Sequence, residues 1–225
     1  MSKIRILLSC VAAVSALIFI VAEYIGPAYL SYIFKPLTML GIIAVAVMDT
    51  CEQPGFYGKV LIGGLLCSFA GDIFLMVPEN YFIAGLISFL IGHIFYIVAF
   101  TNGRFMRSSI LSLLPFVLYG IFMFRLLAPF LGGLLWPVSL YLMVILIMGW
   151  QAWERWSRLR KTGAALAFVG AIFFIISDSV LAYNKFRTHI EFGRALNLST
   201  YFLAQWLIAW SIHRQSESSQ PENAV

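Results

Sequence analysis

Charge is scarce in this sequence: Asp, Glu, Lys and Arg together make up 11% of it, against 61% hydrophobic residues and a mean hydropathy of +0.91. A water-soluble domain of this length could not hide so much apolar surface, so the solvent of the folded chain is lipid. Cysteine is scarce too. Cys10, Cys51 and Cys67 show neither disulfide-type nor metal-type spacing and read as free thiols. His93 is the only histidine within an apolar run, whereas a catalytic zinc site needs three or four ligands, so no metal is expected. There is no Gly-x-Ser-x-Gly elbow, no phosphate-cradling glycine loop and no dinucleotide fingerprint, so the expected cofactor is none. The net charge of +5 gathers in connectors, notably Arg155, Arg158, Arg160 and Lys161. That pattern marks the cytoplasmic face of a membrane protein and gives no reason to expect a nucleic-acid partner.

What the sequence does have is long apolar runs. A spanning helix needs about 17–25 mostly apolar residues. Eight such runs are read, over residues 4–22, 32–48, 60–76, 81–100, 108–124, 134–150, 163–183 and 195–212. Breaks fall at Gly26-Pro27, Pro54-Gly55, Pro78 and Asn102-Gly103. The first run is long for a signal-peptide core and lacks a cleavage site, so it counts as a helix. The expected architecture is all-α, a polytopic bundle of eight transmembrane helices in one domain, residues 1–214. A polar tail at 215–225, expected to be disordered, follows. Of the 15 lysines and arginines, five (Lys35, Arg125, Lys185, Arg187 and Arg194) fall on the face opposite the N-terminus and the rest on its own side. The bias puts both termini in the cytoplasm, and the expected location is a bacterial inner (plasma) membrane.

Two aspartates, Asp72 and Asp178, interrupt the third and seventh runs. An ionised carboxylate in hydrocarbon costs several kcal/mol unless compensated, so it is kept there mainly for a function. The bland alternative, a helix-packing hydrogen bond, is more often made with Ser, Thr, Asn or Gln. With the N-terminus inside, both helices run outward and both aspartates lie about 6–8 Å below the outer boundary. Lys35, Asn184 and Lys185 belong to the same side. Two carboxylates in one apolar pocket divide naturally into an acid and a base, which hydrolysis of an acid-labile bond requires without a metal. Lys35 either snorkels to the headgroups or, with Lys185 and Arg187, holds a lipid phosphate. His93 reads as a core histidine or a pocket residue, and Tyr96, Tyr201 and Gln205 as pocket lining or packing. A faint parallel repeat pairs Gly71-Asp72 and Gly92-His93 with Ser177-Asp178 and Ala204-Gln205.

An ordered set of short motifs carries a resemblance. Phe34-Lys35-Pro36, Ser68-Phe69-Ala70-Gly71-Asp72, Gly92-His93 with Tyr96, Ser177-Asp178-Ser179-Val180-Leu181-Ala182 with Lys185-Phe186, and Tyr201 with Gln205 resemble the YhhN-like lysoplasmalogenase family along essentially the whole chain. The resemblance implies an eight-helix membrane hydrolase that cleaves the vinyl ether bond of lysoplasmalogens. The products would be a fatty aldehyde and glycerophosphoethanolamine or glycerophosphocholine. It implies Asp72 and Asp178 as the essential acids, and a lysophospholipid in a membrane as the partner.

Two other readings stay open on the sequence. Ala70-Gly71-Asp72 shares a Gly-Asp pair with intramembrane aspartyl proteases, although there the Gly-Asp helix follows the other acid. A proton-coupled lipid transporter or binding protein would also place acids in helices, but such proteins often break those helices with Gly or Pro at the midplane.

Overall fold

The apolar runs become helices, and the helices reach further than the runs. The computed structural model describes residues 3–77, 81–102 and 110–217. Within them lie α1 (Lys3–Ile25), α2 (Ala28–Glu52), α3 (Phe56–Met76), α4 (Phe82–Thr101), α5 (Ile110–Leu131), α6 (Leu135–Leu159), α7 (Thr162–Phe186) and α8 (Gly193–Glu217). No strand occurs among the described residues. The breaks at Pro78 and Gly103, the basic residues Arg104 and Arg107, and residues 218–225 of the tail lie outside the described residues. The first three tail residues continue α8.

Six stretches are long and apolar enough to cross a membrane: Lys3–Ile25, Tyr29–Glu52, Phe56–Met76, Phe82–Thr101, Leu111–Leu159 and Thr162–Phe186. The fifth, at 49 residues, contains both α5 and α6. Between these two helices Gly132, at φ +51°, opens a single 3₁₀ turn that folds the chain back. α8 has the length, at 25 residues, but not the apolarity, because it carries Asn197, Thr200, Gln205 and Ser211. Gln205 and Ser211 are fully buried, so this polarity faces the bundle.

Two boundaries moved for identifiable reasons. The second run was expected to stop at residue 48, yet α2 continues through Asp49 to Glu52 because Arg5 of α1 pairs with both carboxylates. The fifth was expected to stop at residue 124, yet α5 continues through Arg125 and Pro129, with Leu127 and Leu131 buried in a small cluster beside Met123 and Val138. Pro137 sits in the first turn of α6, where its missing N–H costs nothing.

Packing follows the chain: α1 on α2, α3 on α4, α6 on α7 and α7 on α8, closed by α2 against α8 and α4 against α6. α5 stays outside, touching α6 and α7. Short connections enforce this order. Arg160, in the left-handed conformation, ends α6 with its N–H on the Trp156 carbonyl at 2.9 Å, and Thr162 begins α7. At the α3–α4 contact, small residues let the backbones close. A β-carbon on Gly64 would stand 2.3 Å from the Tyr96 ring. The aromatic floor of the bundle is built on Phe174, whose ring meets those of His93 at 4.7 Å and Tyr201 at 5.4 Å, both edge to face.

Gly64→Ala therefore forces Tyr96 out of its slot. The expected cost is about 1–3 kcal/mol, read as a lower unfolding midpoint in detergent, whereas Gly133→Ala, with open space around it, leaves the midpoint in place.

Candidate active site

A cavity of about 590 Å³ opens among α1–α8, and both intramembrane aspartates border it. Asp72 and Asp178, far apart in sequence, thus come to one chamber, as their depth in α3 and α7 predicts. Their surroundings differ.

Asp72 is almost fully buried and engaged at both oxygens. Lys35 Nζ of α2 lies 2.9 Å from Oδ1, and the Tyr201 hydroxyl of α8 donates to Oδ2 at 2.6 Å. Lys35 is itself buried. It has turned inward to the acid, where the sequence left open a turn outward to the headgroups. The carboxylate thus has an ammonium on one oxygen and a phenol on the other.

Asp178 is more open, its side chain 15% exposed. The Tyr141 hydroxyl of α6 donates to its Oδ2. His93 Nε2 of α4 lies 2.9 Å from that hydroxyl and 3.7 Å from the same carboxylate oxygen. The Tyr141 hydroxyl thus stands between the His93 ring and the Asp178 carboxylate. The chain His93–Tyr141–Asp178 crosses three helices. The residues flanking Asp178 are also fixed. Asn197 of α8 donates to the Ser177 carbonyl at 2.8 Å and Ser177 Oγ donates back to the Asn197 carbonyl at 2.9 Å, while the Tyr119 hydroxyl of α5 donates to Ser179 Oγ at 2.7 Å. α7 is thereby held from both sides at the aspartate.

Of the other residues singled out in the sequence, Asn184, Lys185 and Tyr201 border the cavity with Lys35. Asn184 Oδ1 accepts the Ile190 N–H at 2.8 Å and so braces the α7–α8 loop. Lys185 Nζ rests 4.4 Å from the centre of the Phe82 ring, which also borders the cavity. Arg187 does not border it and lies over the Phe130 and Tyr183 rings. His93, Tyr96 and Gln205 do not border the cavity. They stand behind its wall, with the Tyr96 hydroxyl on Gln205 Oε1 at 2.7 Å. Among the described residues no three His, Cys, Asp or Glu side chains gather as a metal site does.

Sequence reasoning missed Tyr141, Tyr119, Asn197, Glu23 and Arg194. A tyrosine amid apolar residues looks the same whether it anchors a helix at a membrane interface or bonds a buried acid.

A family model described as the YhhN family matches residues 30–212. The chain belongs to the YhhN family. Among its relatives is an Escherichia coli protein titled "Uncharacterized membrane protein YhhN", 29% identical over 204 residues, covering 88% of this chain and 95% of that one. Human "Lysoplasmalogenase TMEM86A" is 39% identical over 156 residues, 66% of this chain and 62% of the human protein. Pig "Lysoplasmalogenase TMEM86B" is 31% identical over 200 residues, 87% of this chain and 80% of its own. No solved structure matches. With its apolar helices, this YhhN-family chain is a multi-pass membrane protein.

Breaking the Lys35–Asp72 pair from one side strands a buried charge. Lys35→Met is expected to lower stability by about 3–5 kcal/mol. Lys35→Met combined with Asp72→Asn recovers most of that loss, because neither charge remains. Unfolding curves in one detergent compare the two.

Proposed function

We propose that this protein is a lysoplasmalogenase, which adds water across the vinyl ether bond of a lysoplasmalogen to release a fatty aldehyde and a glycerophospho-headgroup. One observation carries the reading: two aspartates border a single amphipathic cavity with unlike partners. The names of the mammalian relatives support the substrate class.

The chemistry assigns the aspartates separate parts. Asp178 delivers a proton to the vinyl carbon remote from the ether oxygen. The positive charge that results is shared between the neighbouring carbon and that oxygen. Asp72, as the carboxylate paired with Lys35 and bonded by Tyr201, faces the developing cation and stabilises it. Water then adds to the cationic carbon and surrenders a proton to a carboxylate. The hemiacetal collapses to aldehyde and a free glycerol hydroxyl. His93 and Tyr141 are positioning residues: they orient Asp178 and connect it to a second proton-carrying group. Tyr96 and Gln205 brace Tyr201 and His93 from behind, while Tyr201 and Asn184 shape the wall next to the substrate. Lys185 contributes positive charge to the cavity wall. The alkenyl chain lies against Leu86, Met123, Leu127, Val138 and Leu142.

We further propose that all eight helices cross the bilayer with both termini cytoplasmic, so that the cavity opens toward the outer leaflet of a bacterial plasma membrane. Their lengths of 20 to 25 residues suit one crossing each, and the distribution of lysine and arginine supports the orientation.

Purified protein in detergent with a lysoplasmalogen tests the reaction. Asp72→Asn and Asp178→Asn should each lower aldehyde release by about a hundredfold or more. Tyr141→Phe should lower kcat about tenfold with little change in KM and an altered pH profile, since it removes the hydroxyl that orients the acid and keeps the ring in the cavity wall. Full turnover by either asparagine variant removes the two-carboxylate mechanism.

A further inference from the structure

Three carboxylates border the cavity among the described residues: Asp72, Asp178 and Glu23. The reaction proposed above uses two. Glu23, in the last turn of α1, has no part in it, and its side chain is only 10% exposed. One of its oxygens accepts from Ser31 Oγ at 3.0 Å. The other pairs with Nε of Arg194, in the first turn of α8, which is 68% exposed and also borders the cavity. This pair is not the sole tie between its helices, since the Ala195 N–H donates to the Tyr24 hydroxyl at 3.1 Å beside it. An ion pair with one member in solvent contributes little stability and opens at little cost.

A carboxylate and a guanidinium side by side are the complement of a zwitterion. We infer that Glu23 and Arg194 form a headgroup subsite for a lysophospholipid carrying both a phosphate and an ammonium group, with phosphate on Arg194 and ammonium on Glu23. This rests on the lysophospholipid reading of the cavity. The walls support one orientation. Glu23, Ser31, Lys35, Arg194 and Asn197 make the α1, α2 and α8 side polar, whereas α4, α5 and α6 present Leu86, Met123, Leu127, Val138 and Leu142. Asp72 and Asp178 come from α3 and α7. A single-chain lipid therefore lies with its head against α1 and α8, its chain toward α5, and the bond between them passing the two acids.

The exchange is balanced. The internal pair gives way to Glu23 with ammonium and Arg194 with phosphate, so every charge keeps a partner. The neighbouring cations are engaged elsewhere: Lys35 is committed to Asp72 and Lys185 rests on the Phe82 ring. A headgroup of bare phosphate takes Arg194 and leaves Glu23 facing an anion with no cation. That mismatch is repulsive recognition, and it disfavours the bare head by about tenfold to a hundredfold. A primary ammonium also donates N–H bonds to Glu23. A quaternary one relies on charge and on the face of Tyr32, which borders the same wall.

Equilibrium binding to the full chain in detergent tests this with 1-O-alkyl lysophospholipids, whose saturated ether has no double bond to protonate. Three heads are compared: phosphoethanolamine, phosphocholine and bare phosphate. Both ammonium-bearing heads should bind the wild type at least about tenfold more tightly than bare phosphate, and Glu23→Gln should erase that preference. Arg194→Gln, at an exposed position that folding tolerates, should weaken all three heads while keeping the ammonium preference. The inference is overturned if Glu23→Gln retains the preference, if the wild type has none, or if Arg194→Gln leaves affinity for bare phosphate unchanged. Aldehyde release by the aspartate variants reports on the reaction separately, so the subsite and the chemistry fail independently.

Discussion

Hydrocarbon cannot solvate a charge, and the interior of this bundle is organised around that constraint. Where a carboxylate enters the packed region, another helix brings a donor to it: Lys35 and Tyr201 to Asp72, Tyr141 to Asp178, Arg5 to Asp49. Each pairing also joins two helices, and that of Tyr201 with Asp72 ties α8 to α3, so satisfying the charge and closing the bundle are the same event. In a membrane, apolar packing does little to prefer one helix neighbour over another, because lipid is as apolar as a leucine side chain. Polar pairings of this kind therefore carry much of the information about which helix lies beside which.

The same constraint separates the two aspartates chemically. Both border one cavity, but Asp72 has an ammonium on one oxygen and a phenol on the other, whereas Asp178 has a single phenol donor and more exposure. The difference arises from their partners on α2, α4, α6 and α8 and not from the aspartates themselves. The contacts also cross between the halves of the chain: Asp72 of α3 reaches Tyr201 of α8, and Asp178 of α7 reaches His93 of α4 through Tyr141.

Much of this was legible in the sequence, for physical reasons. Long apolar runs specify helices whatever their neighbours, so the helices were found, and a lone acid in such a run is conspicuous, so both aspartates stood out. Lys35 was found as well, though only the fold shows it turned to Asp72. The partners were harder. Tyr141, Tyr119 and Asn197 are neutral, and neutral polar residues in membrane helices are common enough to carry no signal by themselves. Glu23 lay in what reads as a connector after the first run, where a carboxylate is unremarkable; it gains meaning only once α1 extends to Ile25 and α8 brings Arg194 beside it. The ends of α2 and α5 were misjudged for a related reason, since apolarity does not count charges neutralised by another helix or prolines tolerated near a helix end.

α8 shows how insertion and function compete for the same residues. It is the one full-length helix that falls short in apolarity, and it supplies Tyr201 to Asp72, Gln205 to Tyr96, Asn197 to Ser177 and Ser211 to Tyr57. Every polar group that lowers its hydropathy in that set is spent on a neighbour inside the bundle. Hydropathy averages around the helix, whereas Leu196 and Leu203 remain exposed on its outer face. Its low mean hydropathy thus reflects the donors and acceptors that it turns inward toward α3, α4 and α7.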